Sequence, residues 1–307
     1  MNKDSKIFVA GHKGLAGSAI VRVLLENGYA NIVTKSKSEL DLRNQDDVKD
    51  FFNQEKIEYV FDAAAKVGGI YANNTYPGDF IYDNLTIQTN LIHNSYLFNV
   101  KKFLFLGSVC IYPKFAPLPI VEDCLLTGFL EPTNEAYAVA KIAGIKMCQA
   151  YRKQYGFNAI SLMPTNLYGP GDNYHPENSH VMAAMIRRFV EAKENGDNEV
   201  VCWGDGSPKR EFLYSDDLAT ACLLSMQTYD DSEIMNVSTG KEVSIKETAE
   251  TVAKVVGYQG NIVWDTTKPN GTIKRPLHIE KIKNLGWVPH VSLEDGIQKS
   301  INDFKKL

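Results

Sequence analysis

Tyr137 and Lys141 stand one helical turn apart in Tyr137-Ala138-Val139-Ala140-Lys141, so a helix would put both on one face. A phenol in that position is suited to proton transfer, because a neighbouring ammonium favours the phenolate and lowers the phenol's pKa. The spacing alone describes an ordinary helix face equally well. Two other features give it a chemical context. Ser108 lies just past the apolar run 103–106. Its hydroxyl could share a carbonyl oxygen with Tyr137; taken alone it is a turn serine. Near the start, Gly11-His12-Lys13-Gly14-Leu15-Ala16-Gly17 separates an apolar run from a helical pattern. The glycines permit a tight turn and close approach of a pyrophosphate. The helix start then offers free N–H groups and positive potential.

The end of the next apolar run discriminates between dinucleotides. A carboxylate there would suit the ribose 2′-hydroxyl of NAD. Here Thr34-Lys35-Ser36-Lys37 carries no acid before Glu39. Lys13, Lys35 and Lys37 could surround a 2′-phosphate, which favours NADP; the alternative is three solvated surface lysines. Asp41 and Leu42 could edge the adenine, although Asp41 would serve equally as a helix cap.

Cys110 and His180 gain nothing from spacing: the first is an ordinary small buried hydrophobe, the second a helix-cap or surface histidine. Arg187, Arg188, Lys209, Arg210, Lys274 and Arg275 are single charges beside loops or aromatic residues such as Trp203. A planar guanidinium fork suits a phosphate or diphosphate ligand.

Positioning these residues requires strands at 7–10, 32–34, 59–62, 103–106 and 159–162, alternating with helices at 18–27, 42–52, 84–99 and 136–155. Uniformly apolar strands alternating with helices predict an α/β chain with a Rossmann-type, doubly wound parallel sheet. After residue 168 the texture becomes polar and loop-rich. There we expect a helix over 181–195, a strand over 200–203, a helix capped by Ser215 and running to 226, a strand over 234–237 and a helix over 244–256. The tail from 264 to 307 reads as loop-rich with a terminal helix. The expected division is a dinucleotide domain over 1–168, with segments near 212–240 returning to it, and a smaller α/β substrate lobe over 169–307.

The chain has 307 residues, 44% hydrophobic and 23% charged, with a net charge of −4. That balance argues against a general nucleic-acid binder. No apolar run reaches the roughly 20 residues of a membrane span, and no signal-peptide core precedes the first strand. Five scattered cysteines (Cys110, Cys124, Cys148, Cys202, Cys222) without a Cys-x-x-Cys pair fit free thiols in a reducing cytoplasm and no structural metal.

Together these residues resemble the extended short-chain dehydrogenase/reductases, and within them the enzymes that epimerise and reduce GDP-4-keto-6-deoxy sugars. The likeness covers nearly the whole chain. Its most specific stretches are 11–14, 64–70, 107–113, 163–170, 173–181, 210–213 and 285–287. The resemblance implies that Ser108, Tyr137 and Lys141 form the reductase triad and that Cys110 and His180 form an acid/base pair for epimerisation. It implies NADP(H) contacts by Gly11, Lys13, Gly14, Leu15, Gly17, Lys35, Lys37, Asp41, Leu42, Ala64, Ala65, Tyr137, Lys141, Pro164, Asn166 and His180. The sugar nucleotide would meet Asn166, Val181, Arg188, Trp203 and Arg210, with Lys274 and Arg275 beside it. The implied reaction is 3,5-epimerisation and 4-keto reduction of GDP-4-keto-6-deoxy-D-mannose to GDP-L-fucose by a homodimer paired through 84–99 and 136–155. Val109-Cys110 replaces the Asp-Glu of related dehydratases. Pro276 and His278 depart from the usual Leu and Asp, and Lys13 from an Arg. These departures leave open a GDP-4-keto-6-deoxy-heptose substrate, or reduction alone. A regulator that kept the fold without turnover is the reading from a different class.

Overall fold

Short, mostly buried runs become the central sheet of this computed structural model, which describes all residues except Glu177, Pro269, Gly271, Thr272 and Leu307. Glu177 of the 173–181 stretch thus lies outside the described residues. Strands β1 (Ile7–Ala10), β2 (Ile32–Val33), β3 (Tyr59–Asp62), β4 (Lys102–Leu106) and β5 (Ala159–Pro164) alternate with helices α1 (Leu15–Glu26), α2 (Gln45–Glu55), α3 (Ile70–Thr75), α4 (Pro77–Leu97) and α5 (Glu135–Tyr155). After them come β6 (Asn166–Tyr168), α6 (Val181–Asn195), β7 (Glu199–Trp203), β8 (Lys209–Tyr214), α7 (Ser215–Thr228), β9 (Met235–Val237), β10 (Glu242–Ser244), α8 (Ile245–Val256), β11 (Asn261–Asp265), α9 (Glu280–Asn284) and α10 (Leu293–Phe304).

Six strands pair in parallel in the order β2-β1-β3-β4-β5-β9. Parallel pairing needs helical crossovers, which cover both faces and explain the absence of polar alternation in the strands. Helix α4 packs on α2 and α5, while α1 packs on α7. Phe61, Phe103 and Phe105 are fully buried between these layers, each worth roughly 1.5–3 kcal/mol of transfer free energy. A second core, with Phe189, Ile186, Val252 and Ile297, lies among α6, α8 and α10. Strands β10-β8-β6 and the β11-β7 pair accompany it.

Several boundaries differ from expectation for local reasons. Helix α2 starts at Gln45 because Asn44 accepts from the N–H groups of Asp46 and Asp47; Asp41 is therefore not its cap. Helix α4 starts at Pro77, where the missing N–H costs nothing, and the short α3 precedes it. Lys209–Tyr214 is a strand, not polar loop, because its partners β6 and β10 lie far off in sequence. Tyr214, not Ser215, is the N-cap of α7, without a side-chain bond.

Two buried polar residues join the C-terminal segment to the sheets. Glu211 Oε2 accepts from Ser238 Oγ (2.8 Å) and the Leu277 N–H (3.2 Å). Asn236 Nδ2 donates to the carbonyls of Ile120 and His278, 3.1 Å each, and Asn236 Oδ1 accepts from the Tyr112 hydroxyl at 2.5 Å. The substituted positions Pro276 and His278 thus lie in a segment held by its backbone. The Pro276 carbonyl accepts from Ile120 N–H, and His278 N–H donates to the Ile120 carbonyl.

Candidate active site

The C-terminal ends of β1, β3, β4 and β5 converge, as expected where ligands bind parallel sheets. At β1, Gly11 has φ +77°, and a Cβ there would come within 2.6 Å of the Ala63 carbonyl oxygen and 2.8 Å of the Ala64 nitrogen. A Cβ on Gly17 would strike the Gly11 carbonyl at 2.2 Å. Both positions therefore require glycine. The turn at Gly11 is pressed against the backbone of Ala63 and Ala64, just past the end of β3.

The lysines gather at this edge. Glu39 is held below the usual carboxylate range chiefly by the Ser36 hydroxyl, which donates to it, then by the Ser36 backbone N–H at 2.7 Å, and less by Lys35 and Lys13. Lys37 is exposed and lies near Asp41. Asp41 is pinned by Arg43 at 2.7 Å, and this hydrogen-bonded pair lowers its pKa to about 2. Arg43 also reaches Asp83 at 3.1 Å. Leu42 packs partly buried against the core. A cradle without room for a Cβ, followed by lysines beside carboxylates already hydrogen-bonded to Ser36 and Arg43, fits a dinucleotide bearing an extra phosphate.

Ser108, Cys110 and Tyr137 come together beyond β4. Ser108 begins a 3-10 turn, Val109–Ile111, and its Oγ accepts from the Cys110 N–H at 3.3 Å. Burial pushes the Tyr137 phenol well above its ordinary pKa, with the Cys110 charge adding to the effect and a Ser108 hydrogen bond opposing it. The ring packs edge-on against buried Phe80, centroids 6.4 Å apart. The expected lowering of the phenol's pKa by Lys141 is not found. Lys141 Nζ instead donates to the Leu106 carbonyl at 2.8 Å and lies 4.6 Å above the Phe105 ring. Burial lowers the Lys141 pKa and Asp62 opposes that. The Cys110 thiol is raised by burial, against opposing influences from Ser108 and Arg275.

His180 is the N-cap of α6 and makes no side-chain cap. The residue is exposed to solvent, yet surrounding protein desolvates the imidazole and lowers its pKa. The preceding loop leans on α3: the Gly69 N–H donates to the Asn178 carbonyl at 3.4 Å. Helix α3 in turn packs against the 3-10 turn Pro132–Asn134 at the start of α5. This chain of contacts links the histidine loop to the Cys110 side of the cleft.

Pro164 is buried at the end of β5, and Asn166 Nδ2 donates to the Glu211 carbonyl at 3.1 Å. Val181 opens α6. Trp203, 58% exposed, has Arg188 at 5.8 Å and Lys268 at 5.7 Å from its ring. Arg188 also donates to the Val201 carbonyl. An exposed indole flanked by two cations can take a flat anionic ligand. Arg210 and Arg275 sense each other's charge. Arg275 does not point away as a free phosphate ligand: its Nη2 donates to the carbonyls of Tyr112 (3.1 Å) and Pro113 (3.3 Å), holding the Cys110 turn. Lys274 is exposed beside it.

Sequence reasoning missed Asp62, Asn134 and Asp172. Asp62 ends β3, 1% exposed; burial pushes its carboxyl up to about 6, and Lys141 opposes the shift. A carboxylate closing an otherwise apolar strand was the available signal. Asp172 is pushed up to about 7 by burial. It follows Gly171, which packs against Ser18 and the start of α1. Asn134 directly precedes α5, and nothing in the sequence distinguishes it from an ordinary helix cap.

Comparison with known proteins agrees with this geometry. The NAD dependent epimerase/dehydratase family matches residues 7–238. GDP-L-fucose synthase 1 of Arabidopsis thaliana is 61% identical over 305 residues, 99% of this chain and 94% of that protein. The solved GDP-6-OMe-4-keto-L-xylo-heptose reductase from C. jejuni is 40% identical with a TM-score of 0.93, covering 100% of this chain and 99% of that one. A GDP-L-fucose synthetase from Naegleria fowleri bound to NADP is 30% identical with a TM-score of 0.93, covering 100% and 94%.

Proposed function

Because the chain belongs to the NAD-dependent epimerase/dehydratase family, with GDP-L-fucose synthases among its relatives, we propose that it converts GDP-4-keto-6-deoxy-D-mannose to GDP-L-fucose by 3,5-epimerisation and NADPH-dependent 4-keto reduction. The observation that carries this reading is the grouping of the Cys110 thiol with Ser108 and the Tyr137 phenol. A keto group seated on Ser108 and Tyr137 acidifies the hydrogens at C3 and C5. Cys110 and His180, on separate elements, exchange protons with opposite faces of those carbons. The enolate oxygen is held by the two hydroxyls meanwhile. Bound NADPH would supply hydride to C4, and Tyr137 would protonate the oxygen. Gly11, Lys13, Gly14, Leu15, Gly17, Lys35 and Lys37 would hold the cofactor's phosphates. Lys141 would hold its nicotinamide ribose, while Ala64, Ala65 and Pro164 line its path. Asp41 and Leu42 would border the adenine. Trp203, Arg188 and Arg210 would take the guanosine diphosphate, with Asn166 and Val181 nearer the sugar.

In this reading residues 1–168, with β9 and α7, serve the cofactor, and most of 169–307 serves the sugar nucleotide. Exposed Tyr82, Leu97, Val139 and Tyr155 on α4 and α5 support pairing of two copies through these helices, in a cytoplasmic enzyme. No helix among the described residues is long and apolar enough to cross a membrane.

The test is turnover in heavy water. Consumption of NADPH with deuterium at C3 and C5 is expected; NADPH consumption without deuterium would reduce the activity to a reductase. Pro276, His278 and the heptose reductase likeness favour a second reading, a GDP-4-keto-6-deoxy-heptose. Comparing kcat/KM for the two sugars separates them.

A further inference from the structure

Asn134 occupies the N-cap of α5, yet its side chain makes no capping bond. An asparagine there ordinarily stabilises a helix by about 1 kcal/mol through that bond. Instead Nδ2 donates to Cys110 Sγ at 3.3 Å. Oδ1 is buried without a partner, which itself costs stability. A cap residue that neither caps nor satisfies its own carbonyl is held in place for something else. The geometry names the sulfur: an amide N–H stabilises a thiolate more than a thiol, since the anion is the better acceptor.

We infer that Asn134 is a positioning residue for Cys110, its amide fixing the sulfur and stabilising the thiolate as a proton leaves the sugar. The groups facing the sulfur are Asn134 from α5, Ser108 and Tyr137, and Arg275 from the C-terminal segment. Asn134 donates its amide N–H to the sulfur, and the Ser108 hydroxyl is a second hydrogen-bonding group beside it. Arg275 adds positive charge while its own hydrogen bonds hold the carbonyls of Tyr112 and Pro113. The purpose of this arrangement rests on the proposed epimerase reading, but the arrangement itself can be measured without substrate.

The experiment follows alkylation of Cys110 by iodoacetamide against pH in the full chain. The other four cysteines are buried, so the signal belongs to one thiol, and mass spectrometry confirms it. Asn134→Asp keeps shape and capping tendency but replaces the donor with an acceptor. Its thiol should titrate higher by at least about one pH unit, slowing alkylation near neutral pH by roughly tenfold. Asn134→Ser, a strong capping residue, should shift the midpoint in the same direction by less. It carries the measurement alone should the aspartate variant not fold. An unmoved or lowered midpoint in a folded variant overturns the proposal, whatever the enzyme does with sugars. Absence of deuterium at C3 and C5 in the unaltered chain would overturn the epimerase reading and leave the thiol result standing.

Discussion

Helices α5 and α6 both begin at the cleft with an N-cap residue whose side chain does not cap, Asn134 in one and His180 in the other. Their supports differ. Helix α5 is built into the sheet: Lys141 is bound to the Leu106 carbonyl at the end of β4, and Tyr137 packs on Phe80. Helix α6 follows a loop that leans on the backbone of Gly69. The lesson is that the residues proposed to surround the keto oxygen are held by the core, whereas His180, the proposed second proton-transfer group, borrows its position from a neighbouring turn.

The sharpest test of the rigid side is Tyr137→Phe. It should lower the reduction rate by on the order of 10²–10⁴-fold, the usual worth of a positioned acid. NADPH binding, followed by fluorescence, should survive; lost cofactor binding would make Tyr137 structural. On the borrowed side, His180→Gln and Cys110→Ser should cut deuterium incorporation by about 10²-fold or more. Their effect on reduction of a keto sugar that needs no inversion should be smaller, and equal losses in both assays would break the comparison. Gly69→Ala sharpens it further. The added methyl would sit 3.1 Å from the Ser179 carbonyl oxygen, so the histidine loop must shift. A misplacement of a few tenths of an ångström should cost deuterium incorporation roughly 3–10-fold, with NADPH affinity unchanged.

The smallest expected effect concerns Asp62. Its carboxyl is raised from 3.8 to about 6 by burial, so the folded state binds the proton more tightly than the unfolded chain does. Stability is then lost as pH rises through that window, and the cost is complete above pH 6 or so. Asp62→Asn should raise unfolding free energy near pH 8 by on the order of 2 kcal/mol, and by little near pH 4, as read from denaturant titrations at both values. A pH-independent difference would sink this account.

The sequence made the core side of this comparison readable. Uniformly apolar strands, Gly11 and Gly17, and the span of α5 all follow from local patterns. The supports were not readable. Strand β8 carries Lys209, Arg210 and Glu211 and resembles polar loop until β6 and β10 pair with it. Arg275 resembled a phosphate ligand because its backbone acceptors lie over 160 residues away in the chain. The expected ammonium effect on Tyr137 failed because a shared helix face does not fix where a flexible lysine ends. Asn134 has the residue type and position of a cap, and only the position of the sulfur separates the two uses.

Strand β9 enters the main sheet after the chain has already built β7 and β8 elsewhere. An exchange of the sugar pocket between relatives therefore cannot be made with one splice. A chimera joined only near residue 168 would import a foreign sheet edge along with the foreign pocket. Recombination that respects the fold must bring in 166–214 and 238–307 as separate grafts and leave α7 and β9 native, and the seams at Glu211 and Asn236 must be matched on both sides.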